Sequence, residues 1–201
     1  MKSETSSDAR SRLLLAAERL LREQGYDVVS VRAVNKAAGM NPAAVHYHFG
    51  SKPDLVTALL ESRLRGRWED RLTVLDDLSQ ATDPPSVNDL AAILVEPMAR
   101  LAVDPDTRWL LGLLARLVLA GHPLPWRSPW SAPEPWVELI SRAHPGLTTH
   151  QAAGRWQMAR DLVLLTYGTP FAEFTEPGTA PSPPAAGTVV AFVAAGLGAP
   201  A

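Results

Sequence analysis

Apolar residues recur along most of this chain at intervals of three and four, the spacing that lines one face of an α-helix. From Ser11 to Glu23 the apolar positions are Leu13, Leu14, Ala17, Leu20 and Leu21, and Gly25 supplies a stop that tolerates positive φ. Ser30 is predicted to cap a short helix beginning at Val31, with Val34, Ala37 and Ala38 on one side and an end at Gly39. Asn41 is predicted to cap the next helix, where Pro42 occupies a first-turn position that needs no amide donor. A break at Gly50-Ser51-Lys52-Pro53 precedes a long helix over 53–78, carrying Leu55, Leu59, Leu60, Leu64, Trp68, Leu72 and Leu75.

The rest of the chain continues in the same period. Ser86 and Asp89 form a cap-like pair ahead of a helix over Leu90–Val103, in which Pro97 is expected to introduce a kink. Asp106–Ala120 is apolar nearly all round and predicts a helix buried on most sides. Pro123–Pro135 holds five prolines with Trp126 and Trp130 and reads as an ordered loop. Helices are predicted over Pro135–Ala143, Thr149–Tyr167 and Thr188–Leu197, and the proline-rich stretch Gly168–Gly187 between the last two reads as a flexible segment. No strand is predicted. The fold class is all-α, divided at 1–52 and 53–201.

Composition narrows the chemistry. The chain is 46% hydrophobic and 20% charged, the balance of a globular protein. It has no cysteine, which excludes a disulfide framework, a thiolate zinc site and a thiol nucleophile. The polar start Met1-Lys2-Ser3-Glu4 has no signal-type apolar stretch after it, and no run of about 18 apolar residues exists. A soluble, cytoplasmic protein without membrane contact is expected. The net charge of −2 is uneven: residues 1–52 carry eight Lys/Arg against five Asp/Glu, and residues 53–201 carry eleven against sixteen. Only the first segment has the sign that faces phosphates.

Residues 30–53 are the informative stretch. Two short helices closely linked through Gly39 make a helix-turn-helix pattern, whose inter-helix contact is supplied by Val34, Ala38, Met40, Val45 and Phe49. On the second helix Val45 and Phe49 share a face, leaving Ala43, Ala44, His46 and Tyr47 pointing elsewhere. Small alanines allow close approach to a major groove and can touch thymine methyls, while His46 and Tyr47 reach bases or phosphates. Ser30 and Asn41 lie at helix N-termini, which attract phosphate, and Arg32, Lys36 and Lys52 add cations. His46 and His48 are roughly 200° apart on a helix, unsuited to chelation, so no metal is expected. The run Arg63-Leu64-Arg65-Gly66-Arg67 reads as a solvated helix face.

Gly25-Tyr26, Ser30-Val31-Arg32, Ala38-Gly39-Met40 and Val45-His46-Tyr47-His48-Phe49-Gly50-Ser51-Lys52 together resemble the tetracycline-repressor (TetR) family. The resemblance covers about residues 9–58. It implies an all-helical homodimer with a three-helix DNA-binding head and a helical body that binds a ligand and dimerises. It further implies that Ser30 and Arg32 bind the DNA backbone, that Asn41 to Ala44 face bases, and that His46, Tyr47, His48 and Lys52 straddle bases and phosphates. Asn35 stands where a small apolar residue is usual and calls for a polar partner; Pro42 stands where a basic residue is frequent.

A ligand-responsive repressor binding a palindromic double-stranded operator is thus expected, with an effector-independent architectural DNA-binding protein as the alternative. An architectural protein would have a basic body, and this one is acidic. No Gly-rich phosphate loop, Gly-x-Ser-x-Gly elbow or His-Glu-x-x-His is present, so no enzyme and no cofactor are expected. Two heads one helical turn apart, about 34–36 Å, gain specificity that one lacks. The apolar helices over Thr149–Tyr167 and Thr188–Leu197 are the expected dimer interface. The expected effector is a hydrophobic small molecule, uncharged or weakly anionic, walled by Leu64, Trp68, Leu94, Met98, Trp109, Leu113 and Trp156 with Arg160 as its polar anchor. Trp126, Trp130 and Trp136 either stack on a flat ligand or staple the proline-rich loop to the core.

Overall fold

The computed structural model describes residues 2–126, 132–168 and 183–200, without the side chains of 2–6 and 68–70. Among these residues there are nine helices and no strand: α1 Lys2–Gln24, α2 Val31–Ala37, α3 Ala44–His48, α4 Lys52–Gln80, α5 Val87–Val103, α6 Pro105–Leu119, α7 Glu134–Ala143, α8 Thr149–Gly168 and α9 Ala186–Leu197. The flexible stretch expected at Gly168–Gly187 lies mostly outside the described residues, as do Trp130 and the middle of the Pro123–Pro135 loop. None of the described helices is long and apolar enough to cross a membrane.

The chain forms two units. The first runs to Arg65 and takes back the segment that begins at Gly121; the second comprises the rest. The division falls inside α4, thirteen residues beyond the break expected at 52, because Leu55, Leu59, Leu60 and Leu64 on the first half of that helix are fully buried. In the first unit Leu13, Ala17, Leu20 and Leu21 of α1 are buried along with Val34 of α2 and Val45 of α3. Ser51 opens α4, its hydroxyl accepting from the Asp54 amide at 3.2 Å.

In the second unit α5 packs against α6, α7, α8 and α9. It runs unbroken through Pro97 and is capped as its sequence requires, Ser86 Oγ accepting from the Asp89 amide at 3.1 Å. Asp104 caps α6 in the same way, accepting from the Asp106 amide at 3.0 Å with Pro105 in the first turn. The carbonyls at and just beyond the C-terminus of α4 are collected by one side chain: Arg142 Nη1 donates to Leu78 at 2.8 Å and Ser79 at 2.9 Å, and its Nη2 donates to Asp83, past the helix end, at 3.1 Å. A guanidinium suits this position because it supplies both donors and the charge that a helix C-terminus favours. Trp136 of α7 stacks on Trp156 of α8, ring centroids 4.5 Å apart and planes within 12°. Trp136 therefore works as a core aromatic.

Helices α6 and α8 approach each other closely at one glycine. A Cβ on Gly168 would lie 2.4 Å from the Ala115 methyl and 2.9 Å from the Leu111 carbonyl oxygen. Only a residue without a side chain permits that separation. Gly168→Ala is expected to cost about 1–3 kcal/mol by forcing the helices apart. Gly154→Ala on the same helix, where a Cβ meets nothing within 4 Å, is expected instead to stabilise by up to about 1 kcal/mol. Urea denaturation of both variants checks the pair; a Gly168→Ala protein as stable as the parent contradicts the packing described.

Candidate nucleic-acid interface

The helix-turn-helix is held from inside by Asn35, buried at 1% exposure in α2. Its Nδ2 donates to the Pro42 carbonyl at 2.5 Å, and its Oδ1 accepts from the Val45 amide at 3.0 Å. One amide side chain thus ties α2 to both sides of the entry into α3. The turn itself needs Gly39, which adopts φ +62° and has Arg12 Nη2 3.3 Å from where a Cβ would stand. Asn41 Oδ1 accepts from the Ala43 amide at 2.9 Å, an Asx turn, and α3 then spans only Ala44–His48 rather than the whole of 41–48.

Two arginines of α1 complete this frame. Arg12 donates to the Ala38 carbonyl at the end of α2, 2.7 Å away. Arg10 donates to the His48 carbonyl at the end of α3, 2.9 Å away, and lies 4.2 Å from the centroid of Phe49. Both place positive charge where a helix C-terminus presents unpaired carbonyls. Sequence reasoning passed over them, because a surface arginine on one helix carries no sign of a carbonyl two helices away.

The expected DNA-contacting residues divide into three groups. Ser30, Arg32, Lys36, Asn41, Ala43, His46 and Tyr47 are exposed together on α2, the turn and α3. Tyr47 is 83% exposed, an unusual position for a phenol ring. Ser30 also caps α2, accepting from the Ala33 amide at 3.1 Å. His46 Nδ1 is 2.8 Å from the Gly50 carbonyl; since a carbonyl only accepts, Nδ1 carries the proton and Nε2 of the neutral ring is an acceptor. His48 is half-buried and meets the Tyr47 ring edge-on at 4.9 Å.

Ala44 requires correction. Helical spacing sets it beside Ala43 on the outer face, but it is 7% exposed and its methyl belongs to the core of the head. The helix starts later than its sequence suggests, which turns this position inward.

Lys52 is the third case. Its Nζ donates to the Tyr26 carbonyl at 2.5 Å and lies 4.1 Å from the centroid of the Tyr26 ring. Burial lowers its pKa, partly offset by the nearby Asp27 carboxylate. Burial likewise raises the Tyr26 phenol, with Asp27 adding to the effect.

The expected ligand walls fall in both units. Leu94, Met98, Leu113 and Trp156 are buried in the core of the second unit, and Trp109 is half-buried. Leu64 is fully buried in the first unit, and the side chain of Trp68 lies outside those described. Arg160 is engaged by its neighbour, Nη2 standing 2.8 Å from Asp161 Oδ1.

Residues 13–59 match the family described as "Bacterial regulatory proteins, tetR family". The HTH-type transcriptional regulator TtgR of Pseudomonas putida is 27% identical over 105 residues, 52% of this chain and 48% of that protein. BetI of Rhizobium meliloti, also an HTH-type transcriptional regulator, is 33% identical over 66 residues, 33% of this chain and 32% of its own length. The chain thus spans half or less of the curated relatives it matches. In fold, it is similar to NalD, the secondary repressor of the MexAB-OprM multidrug efflux pump in Pseudomonas aeruginosa, with a TM-score of 0.59 at 20% identity. That alignment covers 96% of this chain and 97% of the other. Mycobacterium smegmatis AmtR gives 0.53 at 20% identity, over 96% and 87%.

Replacing Asn35 by Ala leaves the buried Val45 amide and the part-buried Pro42 carbonyl without this partner. The expected cost is about 1–3 kcal/mol, concentrated in the head. Hydrogen exchange checks it: the Val45 amide should lose protection in Asn35→Ala, while amides of α8 keep theirs.

Proposed function

From the match of residues 13–59 to the family described as "Bacterial regulatory proteins, tetR family", we propose that this chain is a DNA-binding transcriptional repressor acting as a homodimer. The observation that carries the reading is the exposed strip of Arg32, Lys36, Asn41, Ala43, His46 and Tyr47 on a frame fixed by Asn35. α3 enters the major groove. The phenol of Tyr47 and Nε2 of His46 reach base edges, the Ala43 methyl permits close approach, and Ser30, Arg32 and Lys36 hold the phosphates. Lys52 contributes to the phosphate contacts through the donors that Tyr26 leaves unused, and His48 through its exposed edge. The site of action is cytoplasmic.

Dimerisation supports this reading and has its own physical basis. Met158 and Leu165 on α8 and Phe192 on α9 are exposed at 66%, 47% and 69%, three large apolar side chains on two helices packed together. A second copy covering that face would bring two heads to one duplex. A small-molecule effector bound by the second unit then biases DNA binding, to the extent that it prefers one arrangement over the other.

A duplex selected from a random pool tests the reader. Tyr47→Ala should weaken binding by about 1–3 kcal/mol and relax preference at one or two base pairs per half-site. Lys36→Ala should weaken all sequences alike and lower the salt slope by about one. Both variants binding like the parent would show that another surface reads DNA. Separately, Phe192→Asp should shift sedimentation from dimer to monomer with helicity retained.

A further inference from the structure

The second unit contains a cavity of about 460 Å³, lined by Arg67, Arg71 and Val74 of α4 and by Pro97, Arg100 and Leu101 of α5. None of these was among the expected ligand walls, and Arg67 belongs to the basic run that reads from sequence as a solvated face. Positions 67, 71 and 74 share one side of α4, and 97, 100 and 101 share one side of α5. Two stripes, each mixing arginine with apolar residues, therefore face a common space of the size that small molecules occupy.

Three guanidiniums meet two carboxylates there. Arg71 Nη2 is 2.9 Å from Glu96 Oε2, Arg100 Nη1 is 3.8 Å from the same oxygen, and Arg67 Nη2 is 3.3 Å from Asp104 Oδ2. Among the described side chains one positive charge is left over. Each guanidinium has five N–H donors in a planar fork, and these pairs use few of them. The Arg67–Asp104 pair is exposed and the Arg71–Glu96 pair only part-buried, so water reaches both and they can yield to a better acceptor. Val74, Pro97 and Leu101 form apolar wall beside these donors and cannot be served by an inorganic ion.

We propose that this cavity binds an amphipathic organic anion, a carboxylate or a phosphate monoester whose charged head is held by Arg67, Arg71 and Arg100 and whose apolar part lies on Val74, Pro97 and Leu101. The site deepens the ligand-responsive reading above and rests on that reading only for its effect on DNA.

Calorimetric titration of the full chain with decanoate, decyl phosphate and decanol tests it. One or both anions should bind at least tenfold tighter than decanol, and the preferred one identifies the head group. Arg71→Gln and Arg100→Gln should each weaken the anion at least tenfold and leave decanol unchanged; the two lie on different helices, so a folding failure of one leaves the other to decide. No binding, equal binding of decanol, or unaltered affinity in both variants overturns the site. Operator binding is measured separately with the same anion: an anion that binds through the arginines but leaves operator affinity unchanged upholds the site and removes the ligand-responsive reading.

Discussion

The two hydrogen bonds of the Asn35 side chain, to the Pro42 carbonyl and from the Val45 amide, hold the geometry on which the reading surface depends. The amides of Gly39 and Met40 pair back onto Lys36 and Asn35 of α2, and α3 is only five residues long. A helix that short is unstable alone, since nucleation is not repaid by propagation. What fixes it is burial of Ala44, Val45 and Phe49 on one side and the Asn35 latch at its entrance. The exposed side chains of Ala43, His46 and Tyr47 take their positions from that anchoring.

The distribution of positive charge follows from the same need. Arg10, Arg12 and Lys52 each direct a donor to a carbonyl of the head itself, at His48, Ala38 and Tyr26. They therefore serve the frame before they serve a ligand. Arg32 and Lys36 stay exposed on α2, free of such a backbone bond within the head. A count of basic residues over 1–52 merges the two kinds.

In the second unit the determining constraint is steric. Gly168 lets α8 approach α6 to a distance that no side chain would allow, and the Trp136–Trp156 stack closes α7 onto the same helix. The cavity between α4 and α5 is lined by Arg67, Arg71 and Arg100 beside Val74, Pro97 and Leu101.

The sequence by itself determined the helices and the helix-turn-helix, because period, caps and stops are local properties. Ser30, Ser86 and the glycine at 39 act where their neighbours in the chain said they would. It also marked Asn35 as needing a polar partner, since a buried amide cannot go unpaired. Which partner it finds, that Ala44 turns inward, that Lys52 lies on Tyr26, and that arginines of α4 and α5 line a common cavity were decided only by tertiary structure. Each depends on where a side chain meets backbone or another helix far away in sequence, and periodicity holds no information about that distance.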